Sequence, residues 1–195
     1  ALKDAYQNKK NLLESLKENW IIEGYTSKKH EQESFEKAKK FLTEYQKSDL
    51  HKNANPIHLE ESFSLNISSD LKIGGKIDRI DELHNGDIEI IDYKTGANVP
   101  TQKEIDSELQ MTIYALAATQ VPEKPLGKKP EDVLLSLYFF ETGEKFTTKR
   151  TAEQLKEAKK EILEWAEKIS QSDFGCSASE ACRRCEYRLL CDAGQ

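Results

Sequence analysis

Leu2, Tyr6, Leu13, Leu16 and Trp20 recur at roughly helical spacing and predict a first helix to about Glu18, with Gly24 ending the segment. Phe35, Ala38, Phe41, Leu42 and Tyr45 form the buried stripe of a second helix, from about Ser27 to Lys47. After a loop at 53–56 the period changes. Leu59, Phe63, Leu65 and Ile67 lie two or four residues apart, a strand signal, with Glu60 near its start. A hairpin follows over 74–95, GGKIDRIDELHNGDIEIIDYKT, its turn marked by Asn85-Gly86 between two apolar runs. Leu71, Ile73 and Ile77 share one face of its first strand. Thr101 with Glu104 makes a capping-box pattern opening a third helix, whose stripe is Leu109, Ile113 and Leu116. The segment 121–130 holds three of the five prolines and reads as a loop. VLLSLYFF at 133–140 has the length and composition of a buried strand. Thr142-Gly143 turns into a shorter strand ending at Lys149. A last helix, capped by Thr151 with Gln154, carries Leu155, Ala158, Ile162, Trp165 and Ile169. The order α-α-β-β-β-α-β-β-α, followed by a tail holding every cysteine, predicts an α+β (α/β) fold.

Composition adds few constraints. A chain of 195 residues suits one domain with a real core, with a helical part at 1–56, a core at 57–172 and a cysteine-rich tail at 173–195. Apolar residues make up 37% and charged residues 33%, so the surface is heavily solvated. The formal net charge of -6 argues against non-specific coating of nucleic acid, but not against a locally basic groove. No apolar run approaches the ~18 residues a membrane span needs. The opening residues read as an amphipathic helix rather than a leader, so a soluble, cytoplasmic protein is expected. The chain opens at Ala1 already inside a helical pattern, which reads as a piece of something longer.

The hairpin carries the candidate chemistry. An isolated strand aspartate usually pairs with a neighbouring cation on a solvated face. Here Asp92-Tyr93-Lys94 ends a strand, Asp78 lies across the turn, and Gly74-Gly75 strips side chains just upstream. Period-two alternation points Asp92 and Lys94 the same way. Two carboxylates can hold a hard cation such as Mg²⁺ or Mn²⁺, and a lysine beside them suits phosphodiester hydrolysis. Register decides whether they meet. A two-residue Asn-Gly turn sets Asp78 opposite Tyr93, whereas a three-residue loop, His84-Asn85-Gly86 with Gly86 left-handed, sets Asp78 opposite Asp92. A metal site therefore requires the longer turn or a bulge.

GGKIDRID, IIDYKTG and QMTIY, in that order and spacing, resemble the PD-(D/E)xK nuclease superfamily. The resemblance is closest to the RecB-like domains of UvrD/RecB- and AddAB-type helicase–nucleases, and covers about 20–192. It implies a restriction-endonuclease-like core, a central mixed sheet flanked by helices. By resemblance Asp78 and Asp92 are metal ligands, the Tyr93 carbonyl adds an oxygen, and Lys94 is the catalytic lysine. Gln110 and Tyr114 match a Q-xxx-Y helix motif that positions DNA and the lysine, sharing a helix face at i and i+4. Glu60 matches an acidic residue found before the first core strand. The implied activity is a metal-dependent exonuclease on single-stranded DNA, with a helicase motor as partner, in DNA repair. Alternatives are a stand-alone exonuclease of phage or CRISPR type, or a non-catalytic DNA-binding scaffold of the same fold. Lys72, Lys76, Arg79 and Lys103 are candidates to line the strand path, or form an ordinary solvated surface.

The chain departs from the family pattern in two places. Ile77 stands where the family has proline, and the histidine of the family's first helix has no counterpart, since His30 reads as a surface residue. That ligand is expected upstream of Ala1, which would leave this piece weakly active or inactive.

Cys176, Cys182, Cys185 and Cys191 are spaced C-x5-C-x2-C-x5-C, which in a cytoplasmic chain favours a metal over disulfides. The last three resemble the C-x2-C-x5-C tail of iron–sulfur nucleases, whose fourth cysteine lies far upstream; no upstream cysteine exists here. A 4Fe–4S cluster, a structural Zn²⁺ and free thiols all remain open. Either ion would clip the tail, a structural role.

Overall fold

The computed structural model describes residues 1–172 and 179–191, and the chain divides into two units, 1–158 and 159–195. In the first unit four helices precede a sheet: α1 (Leu2–Asn8), α2 (Leu12–Glu18), α3 (Lys28–Lys47) and α4 (Asp49–Lys52). The expected first helix is thus two. Lys9 adopts a left-handed conformation (φ 51°) that closes α1, and Asn11 caps a fresh start, its side chain accepting the Leu13 N–H at 2.8 Å. Trp20 falls beyond α2, donating its indole N–H to Glu31 at 2.8 Å. Ser27 caps α3, which runs as the expected second helix does, to Lys47.

The sheet holds β1 (Pro56–Asn66), β2 (Lys72–Glu82), β3 (Ile88–Lys94), β4 (Val133–Phe139) and β5 (Glu144–Thr148), in that spatial order. Only β3 and β4 pair in parallel. The crossover between them is helical, α5 (Gln102–Asp106) and α6 (Leu109–Gln120). Parallel strands are covered on both faces, which is why β3 and β4 read as nearly unbroken apolar runs. The fold is α+β, a mixed sheet flanked by helices.

The turn takes the form the acids require. Arg79 pairs with Ile91 and Glu82 with Ile88. Leu83 N–H donates to the Asp87 carbonyl at 2.9 Å and Gly86 N–H to the Leu83 carbonyl at 3.0 Å. The loop is therefore His84-Asn85-Gly86, with Gly86 left-handed at φ 83°. Continued one residue, this register sets Asp78 across from Asp92. Gly75 stands where another group approaches the strand closely. A Cβ there would lie 2.6 Å from the ring of its cross-strand partner Phe63, so the glycine admits that ring rather than an outside group.

The third helix also divides. The Thr101–Glu104 capping box opens α5, but the chain restarts at Glu108, whose side chain accepts the Met111 N–H at 2.8 Å. Buried Arg150 stabilises the break, donating to the Ile105 carbonyl at 3.1 Å and the Glu108 carbonyl at 3.2 Å. Leu116 of the expected stripe is buried, but Leu109 is exposed, and Met111, Tyr114, Ala115 and Ala118 are buried as well. On α7 (Ala152–Ser170), Leu155 is buried; in the second unit Ile162 is buried while Trp165 and Ile169 are exposed. No helix among the described residues is long and apolar enough to cross a membrane.

One basic residue lies far from where a strand path would need it. Arg79 is fully buried. Adjacent strand residues face opposite ways, so with Asp78 in the site Arg79 must enter the helical layer. There its guanidinium is paired with Asp81 and donates to the hydroxyls of Tyr45 (2.8 Å), Tyr6 (3.1 Å) and Tyr93 (3.1 Å). Lys72, Lys76 and Lys103 are exposed.

Candidate active site

Asp92 is at the end of β3 with its side chain almost fully buried. Its Oδ1 accepts from Gln110 Nε2 at 3.0 Å and lies 3.1 Å from the Tyr114 hydroxyl. Its Oδ2 has no hydrogen-bond partner, although Lys94 Nζ stands 2.7 Å away as an ion pair. Lys94 donates to Gln110 Oε1 at 2.6 Å. One amide therefore bridges the pair: its oxygen takes the ammonium and its NH₂ serves Asp92 Oδ1 and the Tyr114 oxygen, the latter at 2.9 Å. Tyr114 lies one turn along α6 from Gln110, and its single proton is shared between Asp92 and the Lys76 carbonyl at 3.0 Å. Burial, reinforced by the Asp92 charge, pushes that phenol above its ordinary pKa.

Asp78 is half-buried and accepts the Tyr93 main-chain N–H at 3.0 Å. Burial raises its pKa above the usual carboxylate range, the Tyr93 N–H opposes this, and the Asp92 charge raises it further. The Tyr93 side chain turns the other way, with its hydroxyl 2.7 Å from that of Tyr45, so the residue between Asp92 and Lys94 pins the strand to α3. That anchor, with Arg79 at its centre, escaped the sequence reading; the available signal was the Arg79-x-Asp81 spacing, which puts a counter-charge on the same strand face.

Glu60 lies between the pairs Leu59–Arg79 and Glu61–Ile77, hence across from Asp78, in a left-handed conformation (φ 54°) unusual for a non-glycine residue. Its carboxylate is 2.6 Å from Lys76 Nζ and 3.6 Å from Lys3 Nζ, and the Lys76 bond chiefly holds its pKa below the usual range. His30, near the start of α3, is exposed and bonded to Thr26 at 3.1 Å.

Among the described residues no three His, Cys, Asp or Glu side chains gather as a ready metal shell. A strongly hydrated cation such as Mg²⁺ commonly takes only one or two carboxylates from a protein, with waters and substrate phosphate completing the shell. Asp92 Oδ2, which accepts no hydrogen bond and is met only by the Lys94 ion pair, and the half-buried Asp78 across from it fit that demand. In the tail, the described Cys182, Cys185 and Cys191 are in no disulfide and form no ligand group among the described residues, and Cys176 lies outside the described residues.

A mixed sheet thus brings together two facing carboxylates, a strand-end lysine and a Gln–Tyr pair from the crossover helix. The chain belongs to the PD-(D/E)XK nuclease superfamily, whose family profile matches residues 1–192. Over 49 residues, 25% of this chain, it is 41% identical to a subunit of the ATP-dependent helicase/deoxyribonuclease of Streptococcus pyogenes, in serotypes M49 and M1 alike. It spans only 5% of the length of those proteins. A solved structure of a candidate exonuclease from Eubacterium rectale shares the fold, with a TM-score of 0.53 and 13% identity, over 93% of this chain and 70% of that one.

Proposed function

We propose that this domain hydrolyses DNA phosphodiester bonds as a divalent-cation-dependent exonuclease, acting on a single-stranded end delivered by a helicase motor in DNA repair. The observation that carries the reading is the Asp92–Lys94–Gln110 arrangement: a buried carboxylate oxygen with no hydrogen-bond partner, 2.7 Å from an ammonium. Asp78 and Asp92 would hold Mg²⁺ or Mn²⁺, with the Tyr93 carbonyl as a further oxygen, and the ion supplies Lewis-acid polarisation of phosphate and activation of water. Lys94, ion-paired with Asp92, would present positive charge where negative charge grows on the phosphate. Gln110 and Tyr114 hold that ammonium and carboxylate in fixed orientation, so little reorganisation is needed during reaction. The helicase/deoxyribonuclease name of the Streptococcus pyogenes relatives supports DNA as substrate and a motor as partner.

Degradation of end-labelled single-stranded DNA that requires Mg²⁺ or Mn²⁺, and is lost in Asp92→Ala, tests the proposal. The alternative reading is a non-catalytic DNA-binding domain of the same fold. DNA binding without cleavage, unchanged by Asp92→Ala, is the result that reading requires.

A further inference from the structure

Gln110, whose amide bridges Lys94 and Asp92, is the second residue of α6, so its place depends on where and at what angle that helix starts. Only Ser107 and Glu108 separate α6 from α5. Arg150, in the link between β5 and α7, is buried and bonded across this junction. Its Nη2 donates to the Ile105 carbonyl at 3.1 Å and the Glu108 carbonyl at 3.2 Å, and its Nε to the Thr112 hydroxyl at 2.8 Å. Its Nη1 reaches back to its own strand end, to the Thr148 hydroxyl at 2.8 Å and the Lys149 carbonyl at 3.0 Å. One guanidinium thus ties the last turn of α5, the cap of α6 and the first turn of α6 to the end of β5. Gln110 and Thr112 are two positions apart, about 200° around a helix. The start of α6 is therefore gripped from opposite sides, by Arg150 on one and by the Asp92–Lys94 pair on the other.

We propose that Arg150 is a positioning residue for the hydrolytic site, acting through the start of α6 on the Gln110 amide and hence on Lys94 and Asp92. The inference rests on the nuclease reading above. Arg150 acts from behind the helix, and what it supplies is geometry rather than charge. Its planar fork of N–H donors spans three acceptors across the junction, which a lysine ammonium, with its donors at one point, cannot do. Without the fork that side of the junction is left to packing alone. A misplacement of about 1 Å at a catalytic group can cost about 10²-fold in rate, so a small shift of α6 is read out at Lys94.

Arg150→Lys, which keeps the charge and removes the fork, tests this on the intact chain. With single-stranded DNA and Mn²⁺, kcat should fall at least about tenfold with KM little changed. In a Gln110→Leu background the same substitution should change kcat by less than about twofold, because the group it acts through is already gone. A merely structural role lowers kcat alike in both backgrounds. A second readout needs neither DNA nor metal. The Gln110 side-chain NH₂, bonded to Asp92 and Tyr114, should give two resolved ¹⁵N–¹H signals, identified by their loss in Gln110→Leu, that shift or broaden in Arg150→Lys. Should Arg150→Lys fail to fold, Thr112→Val, which frees α6 from the Nε limb and leaves the guanidinium in place, decides by the same two readouts. An unchanged kcat, equal losses in the two backgrounds, or unmoved Gln110 signals overturn the inference. Should the wild-type protein cleave no DNA, the nuclease reading fails, while the Gln110 signals still decide whether Arg150 positions α6.

Discussion

The main-chain N–H of Tyr93 donates to the Asp78 carboxylate at 3.0 Å, so the strand that carries Asp92 and Lys94 also holds the acid across from it. This bond exists only in the register set by the three-residue loop at 84–86. Gly86, at φ 83°, is the residue that allows it. A β-branched side chain is strongly disfavoured in that conformation, so Gly86→Val should cost about 1–2 kcal/mol. Urea unfolding measures the loss, and an unchanged midpoint contradicts the turn.

Arg79 should be among the most sensitive positions in the chain. Arg79→Met leaves the Asp81 carboxylate buried without its counter-charge and three tyrosine hydroxyls without their shared donor. Breaking a buried ion pair from one side costs about 3–5 kcal/mol. The double variant Arg79→Met/Asp81→Leu should recover much of that loss, because no charge is stranded. Equal destabilisation of single and double variants, in denaturant unfolding, contradicts the pairing.

His51 makes stability depend on pH. Its ring nitrogen lies 2.9 Å from the Tyr6 hydroxyl, and burial, then the Arg79 charge, lowers its pKa below the ordinary histidine value. The folded state therefore disfavours the protonated ring. The stability this contributes is fully present above the unfolded pKa, ~6.5, and is lost as pH falls through that value towards the lower folded one. Wild type should lose more of its urea midpoint between pH 7 and pH 5 than His51→Gln, and parallel losses contradict the assignment.

Gln110 and Tyr114 should separate catalysis from stability. Gln110→Leu removes the amide that holds Lys94 and Asp92 together, and a misplaced catalytic group can cost on the order of 10²-fold in kcat, with KM for DNA little changed. Tyr114→Phe strips the Gln110 NH₂ and the Lys76 carbonyl of a partner, for a loss of about 1–2 kcal/mol in unfolding. Full activity in Gln110→Leu contradicts its positioning role.

Much of this was legible because strand chemistry is local. Gly86 two residues after His84, together with the need for Asp78 and Asp92 to meet, selected the turn that forms. Boundaries set by tertiary partners were not legible. The break between α5 and α6 depends on Arg150, some forty residues away in sequence, and Leu109 is exposed because the helix restarts there. Arg79 was placed on the surface by the habit of arginine, although alternation with Asp78 already pointed it inward. Gly75 marked a close approach to the strand, but the approaching group, the Phe63 ring of the neighbouring strand, is fixed only by the pairing of β1 with β2.

The most direct test of the site compares hydrolysis and ion binding in one variant, Lys94→Met. Single-stranded DNA hydrolysis in Mn²⁺ should fall by about 10²-fold or more, while Mn²⁺ binding, followed by electron paramagnetic resonance, persists in Lys94→Met and is lost in Asp92→Ala. Hydrolysis near the wild-type rate in Lys94→Met, or Mn²⁺ binding that survives Asp92→Ala, would contradict the site as described.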